Sequence, residues 1–397
     1  MKFSKRIQAV QPSVTLATEA TARELRAKGE DILSFGAGEP DFNTPETVKS
    51  AGIEAIRQND TRYTPIGGTD RLKDAIIQKL ERDNHVVYAR NEILVSCGAK
   101  HSFYNLAQVL WEEGDEVLIP APYWVSYPEI VKLAGATPVF LPSTEGSDFK
   151  ISPRQIHEAV SPKSRAIVIN SPSNPTGSAY TRGELEGLVE AALEHNLLIV
   201  SDEIYEKIVF NGFEPVSVPS LSAEARKNTV LINGVSKSYA MTGWRIGYLA
   251  ASPEIVAQAN KLQGQSTSNP TSVSQAASVE ALIGPQDEVV RMNSEFQHRR
   301  DVLVEELRKI PGLSCYRPAG SFYSFPNFSA YYGKRWQGKT IAGSLDMADF
   351  LLREGKVALV PGIAFGADES LRMSFATSLE NIQRGIARIA ATLEKLS

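Results

Sequence analysis

The sequence predicts an α/β fold, in which a mostly parallel central sheet carries helices on both faces and a smaller α+β part sits beside it. Three observations carry this. From residue 93 onward, short apolar runs bounded by glycine or proline alternate with segments whose apolar residues recur at helical spacing, the mark of repeated strand-helix units. One long helical stretch, 286–310, then leads into a region of mixed hairpin, helix and strand. At 397 residues, the chain also exceeds the usual size of one core.

Taken in order, residues 14–28 keep a helical pattern that ends at Gly29, and 32–35 is a short apolar strand. Residues 36–45 are dense in glycine and proline, an irregular loop where backbone can approach a ligand. Thr44 followed by Pro45 predicts a cap and a first-turn proline, with the helix running toward Gln58. A second loop, 62–68, precedes a helix over 69–83. Strands follow at 93–96, 116–119, 137–141, 166–170, 197–200, 230–232 and 246–251. Between them, the Gly98-Ala99 turn opens a helix with Phe103, Leu106, Ala107 and Leu110 on one face, and another helix spans 123–133. Thr181-Arg-Gly-Glu184 has capping-box spacing, and its helix ends near Asn196. Ser252-Pro253 caps a helix to about residue 263, a further helix reaches Leu282, and Gly284-Pro285 breaks the chain. Helix 286–310 shows an apolar stripe of Val289, Met292, Phe296, Leu303 and Leu307. Beyond it come a hairpin-like region at 313–325, a helix at 346–353, strands at 357–360 and 371–375, and a terminal helix opened by Thr377-Ser-Leu-Glu380. The predicted division is a large domain, 45–285, and a small one made of 1–44 and 286–397, joined by the long helix.

Composition narrows the function. A net charge of -4 with no dense cluster of Lys and Arg gives no field for nucleic acid. Two cysteines, Cys97 and Cys315, are too few for a disulfide framework and suit a reducing compartment. The five histidines make no metal-spaced pair, and no run of about 18 apolar residues occurs. These features predict a cytoplasmic protein acting on small molecules, with no metal, membrane or nucleic-acid partner.

Ligands of open parallel sheets bind outside the carboxyl ends of the strands. Lys100, Asn174, Asp202 and Lys237 all follow strands at that end. Lys237 lies in the loop between two apolar runs, with Ser236 beside it and Arg245 further along. An amine so placed can form a Schiff base with a carbonyl while its neighbours bind an anion. The alternative at this point is an ordinary solvated lysine. A pyridine aldehyde cofactor requires an amine, a carboxylate for its ring nitrogen, donors for its phenolic oxygen and a phosphate pocket. Lys237, Asp202, Asn174 with Tyr205, and Ser236 with Arg245 supply those types, and the helix opened by Gly98-Ala99-Lys100 would add amides to the phosphate site.

The chain resembles a class I aminotransferase, of fold type I among the pyridoxal-phosphate enzymes, and is most similar to the bacterial subgroup Ib aspartate aminotransferases. The motifs are Phe35-Gly-Ala-Gly-Glu-Pro-Asp-Phe, Tyr63-Thr-Pro-Ile-Gly, Pro122-Tyr-Trp-Val-Ser-Tyr, Asn174-Pro-Thr-Gly, Ser201-Asp-Glu-Ile-Tyr, the Lys237 stretch and Leu371-Arg372-Met-Ser-Phe-Ala-Thr. They run in family order from residue 35 to 377. The resemblance implies pyridoxal 5'-phosphate as cofactor and ping-pong transfer of the amino group from L-aspartate to 2-oxoglutarate. Lys237 would form the internal aldimine and shuttle the proton. Asp202 would keep the ring nitrogen protonated, Asn174 and Tyr205 would bond the phenolic oxygen, and Trp124 would stack on the ring. Ser236, Arg245 and the Gly98-Ala99-Lys100 turn would hold the phosphate, and Tyr63 would reach it from the neighbouring subunit of a homodimer. Arg372 would bind the α-carboxylate of the amino acid or 2-oxo acid, helped by the backbone at Gly38, and Lys100 would meet the side-chain carboxylate. Some members of the subgroup also take prephenate.

Rival readings are an aminotransferase for prephenate with glutamate or for aromatic or neutral amino acids, and a pyridoxal-phosphate lyase on the same fold. A ligand-sensing regulator would need a DNA-binding segment, for which about 30 residues ahead of the first motif are too few. Ser147-Asp-Phe-Lys150 has the spacing of a serine hydrolase motif without its companions.

Overall fold

The structure, a computed structural model, describes residues 1–12 and 14–397. Its centre is a seven-stranded sheet. Across the sheet the strands run Ile93–Ser96, Gly247–Ala250, Thr229–Gly234, Leu198–Asp202, Ser164–Asn170, Glu116–Ala121 and Thr137–Pro142. Four of the pairings are parallel, and only Gly247–Ala250 runs against both of its neighbours. The inner strands are apolar on both faces because helices cover both, as a parallel sheet demands. On one side Phe103, Leu106, Tyr127 and Val131 pack on Val168 and Val200. On the other, Leu185, Leu188 and Ala192 pack on Ile167 and Ile199, while Leu72, Ile76 and Leu282 cover Leu231 and Tyr248.

A second apolar core gathers the end of the chain. Helices Asp287–Leu307, Ser344–Gly355 and Leu379–Leu393 bury Phe296, Leu303, Phe350, Ile382 and Ile389 against a three-stranded antiparallel sheet of Val360–Pro361, Leu371–Ser374 and Tyr323–Ser324. All five apolar-stripe residues of the long helix are buried. Strand Leu33–Ser34 pairs with Val357–Ala358, which draws the beginning of the chain onto this part.

Several boundaries differ from the sequence reading. Pro45 is itself the cap of helix Glu46–Arg57, because Thr44 has another use: its hydroxyl donates to the Ala240 carbonyl at 2.7 Å and accepts from Trp244 Nε1 at 3.1 Å. Tyr123 lies ahead of its helix, which begins at Ser126. Ser378, not Thr377, caps the terminal helix, accepting from the Asn381 amide at 3.2 Å. The helix Pro153–Ala159 has no counterpart in the sequence reading, although Ser152-Pro153 carries the same cap-then-proline signal as Ser252-Pro253. Lys150, in the rejected hydrolase motif, is paired with Glu184 at 2.8 Å.

Candidate active site

The antiparallel strand explains how its neighbours in sequence reach one edge. Residues that follow the parallel strands and residues that precede Gly247–Ala250 emerge on the same side of the sheet. Lys237 comes from the first kind of loop and Arg245 from the second, so both ends of the 235–246 connection face one cleft.

The anion side forms around Gly98. This residue caps helix Ala99–Leu110 with φ 93° and offers no side chain, so the first-turn amides of Ala99 and Lys100 have no carbonyl to reach within the helix. A Cβ at Gly98 would strike the Arg245 guanidinium, with its carbon at 3.0 Å. Arg245, in left-handed backbone at φ 56°, is held there by bonds from Nη1 to the Thr242 carbonyl at 2.9 Å and from Nη2 to the Cys97 carbonyl at 3.1 Å. Ser236 is buried nearby in the same connection. Amides at a helix start, a guanidinium and a hydroxyl make a cradle for a phosphate.

The amine side centres on Lys237, which is half-buried and donates to the Gly38 carbonyl at 2.5 Å. Burial pushes its ammonium down to about 8; Glu39 opposes the shift, and Arg245, Arg372 and Lys100 add to it. The amine is therefore available in neutral form at mild pH. Asp202 is 5% exposed and accepts from the Tyr127 hydroxyl at 2.6 Å and the Ile204 amide at 3.3 Å. Burial lifts its carboxyl to about 6, a shift reduced by Tyr127, the Ile204 amide and Lys237.

Arg372 is 2% exposed, yet among the described residues no carboxylate pairs with it. Nη1 donates to Asn174 Oδ1 at 3.0 Å and Nη2 to the Gly36 carbonyl at 2.8 Å, while Nε has no partner. Its guanidinium lies 4.4 Å from the Tyr323 ring centre and 5.1 Å from that of Phe365. A buried, unpaired guanidinium with a free donor is a site prepared for a carboxylate. Tyr205 is buried, with its hydroxyl 3.4 Å from that of Tyr323.

The remaining expected residues are placed as follows. Trp124 stands edge-on to Tyr127 at 5.1 Å, and the Lys100 ammonium lies 5.0 Å over its ring. Burial and the charge of Arg245 lower the Lys100 ammonium below its usual range. Tyr63 is 91% exposed on its loop. Sequence reasoning assigned no role to Tyr127, Tyr323 or Phe365; the motif containing Trp124 included Tyr127, and its spacing of three from Trp124 was the available signal. No group of His, Cys, Asp and Glu suited to a metal ion occurs among the described residues.

A depressed lysine, a buried carboxylate, a phosphate cradle and an unpaired guanidinium at the carboxyl edge of a parallel sheet define a group-transfer enzyme that handles carbonyl and carboxylate compounds. The chain belongs to the class I and II aminotransferase family, whose model matches residues 30–389, and it is an aminotransferase. It is 48% identical to the aspartate aminotransferase of Geobacillus stearothermophilus over 397 residues, 99% of each chain. Identity is also 48% to that of Bacillus subtilis (strain 168), over 400 residues and the whole of both. A crystal structure of the aspartate aminotransferase from Rhizobium meliloti superposes with a TM-score of 0.97 at 41% identity, covering all of both chains. The α/β architecture is thus fold type I, as the resemblance implied.

Proposed function

We propose that this aminotransferase carries the amino group of L-aspartate to 2-oxoglutarate with pyridoxal 5'-phosphate in the site, working as a homodimer in the cytoplasm. The observation that carries the reading is Arg372, a buried guanidinium with no carboxylate partner among the described residues and an unbonded Nε, near enough to Lys237 for its charge to lower the lysine's basicity. The names of the relatives support aspartate as donor. The cofactor fits the residues present: Gly98 leaves the space at Arg245 that a Cβ would fill, and Asp202 is a buried carboxylate without a basic partner, suited to a ring N–H.

When bound, the cofactor supplies an electron sink for the pair released at Cα. Lys237 would hold its aldehyde, then carry the proton between Cα and the cofactor as a base whose lowered basicity suits neutral pH. Asp202, kept in place by Tyr127, would hold the ring N–H, while Asn174 and Tyr205 would hold the phenolic oxygen and Trp124 the ring face. Ser236, Arg245 and the amides of Ala99 and Lys100 would take the phosphate, with the exposed Tyr63 reaching that of a second copy. Arg372 and the backbone at Gly38 would take the α-carboxylate, and Lys100 the distal one. Residues 45–285 would form the cofactor-holding domain, and 1–44 with 286–397 the smaller one. Aspartate leaves as its 2-oxo acid, and 2-oxoglutarate leaves as glutamate.

The test records the visible spectrum of the purified protein with the cofactor while amino acids are added singly. Aspartate and glutamate should bleach the colour. Bleaching by aromatic or neutral amino acids but not by aspartate would overturn the substrate assignment. Keto-acid product accumulating beyond one equivalent per site without an added acceptor would point to a lyase.

A further inference from the structure

We propose that Tyr323 is a positioning residue of the site, whose hydroxyl orients the Tyr205 phenol while its ring seats Arg372. The strand pairing sets up both contacts. Tyr323 lies opposite Ser374, so it is the diagonal neighbour of Arg372 on the adjacent strand, within reach on the same face. The guanidinium rests 4.4 Å from its ring centre, a cation-π contact in a fully desolvated setting, where such contacts are strongest. Its hydroxyl is 3.4 Å from that of Tyr205, with the two rings nearly perpendicular at 80° and 6.0 Å apart. Tyr323 and Tyr205 are 1% and 4% exposed, and each is the only side-chain partner of the other's hydroxyl among the described residues.

A phenol has one proton and two lone pairs. If Tyr205 spends its proton on an acceptor in the cleft, its oxygen is left to accept, and Tyr323 is the group placed to donate. A donated bond polarises the Tyr205 hydroxyl and strengthens its own donation, the cooperativity of chained hydrogen bonds. Burial keeps both phenols protonated, and the Arg372 guanidinium, 4.4 Å from the Tyr323 ring centre, makes that hydroxyl a better donor. Lys237 faces the same cleft through Gly38, whose added Cβ would lie 3.4 Å from the Tyr323 hydroxyl. Tyr323 thus touches the walls for both expected ligands without being assigned to either.

The inference rests on the reading of Tyr205 as donor to the cofactor's phenolic oxygen, and the experiment separates the two. The pH midpoint of the bound cofactor's visible absorbance is measured for the parent, Tyr205→Phe, Tyr323→Phe and the double variant, alongside the dissociation constant of succinate. Tyr205→Phe should raise the midpoint by roughly one pH unit, one charge-assisted hydrogen bond's worth. Tyr323→Phe should raise it by a smaller but measurable step of about 0.3 unit. The double variant should match Tyr205→Phe alone, because Tyr323 acts through it. Succinate affinity should hold within about twofold in Tyr323→Phe, which keeps the ring, and fall about tenfold in Tyr323→Leu, which removes it. A Tyr323→Phe midpoint equal to the parent's, or additive shifts in the double variant, would overturn the inference while leaving Tyr205 intact. No shift in Tyr205→Phe would overturn the reading of Tyr205, and the inference with it.

Discussion

Replacing Gly98 with alanine isolates the phosphate cradle. Two costs follow from the structure. The backbone at φ 93°, ψ 159° lies in a region open essentially only to glycine, which costs a side-chain-bearing residue about 1–3 kcal/mol. The added Cβ also strikes the Arg245 guanidinium, which cannot keep its place or its bond to the Cys97 carbonyl. A displaced Arg245 forfeits a charge-assisted contact to phosphate worth about 1.5–3 kcal/mol, or about tenfold to a hundredfold in affinity. The assay compares dissociation constants for pyridoxal phosphate and for pyridoxal, which lacks the phosphate. The ratio should collapse in Gly98→Ala while pyridoxal itself binds almost as before. Gly114→Ala is the control: its φ of 101° also strains a side-chain-bearing residue, but nothing lies within 4 Å of the new Cβ. It should lower thermal stability without touching either constant. An unchanged ratio in folded Gly98→Ala would refute the assignment of Arg245 to the phosphate.

Two further outcomes concern titration. Lys237, pushed down to about 8, should capture pyridoxal phosphate with a rate that reaches half its plateau near pH 8; a profile still rising at pH 10 would contradict the burial of the amine. Glu203, buried beside Glu206 and lifted to about 7, binds a proton more tightly folded than unfolded. Its contribution is complete below the ordinary glutamate range and is lost as pH rises toward 7, by about 3 kcal/mol in all. Glu203→Gln should therefore gain stability over the parent at pH 8 and little at pH 4, read by denaturant unfolding; equal differences at both would refute it.

The reach of the sequence follows the range of the interactions. Strands, glycine-rich loops and the stripe of the long helix are legible because each is written in neighbouring residues. Thr44 shows the limit: its local signal says helix cap, and a contact to Ala240, 196 residues away, takes the hydroxyl elsewhere. Tyr127 and Tyr323 escaped notice for the same reason, since their partners lie 75 and 118 residues off. Lys79 reads as one more polar residue on an amphipathic helix, yet it is 1% exposed and paired with Glu206, 127 residues away. Arg372 became legible only through the family resemblance, because nothing beside it in sequence says that it is buried without an acid.

The bond from Arg372 to the Gly36 carbonyl joins residues 336 apart, whereas Arg245 and the Cys97 carbonyl are 148 apart. Chains leave the ribosome amino end first and fold in that order. This chain's own residues proposed for the phosphate have all been made once the strand ending at Ala250 has emerged, while Arg372, proposed for the amino acid, follows 122 residues later. On the proposed assignments, the nascent chain carries its groups for the coenzyme well before the guanidinium for a substrate, so that the coenzyme can act as a template for the part still to be made.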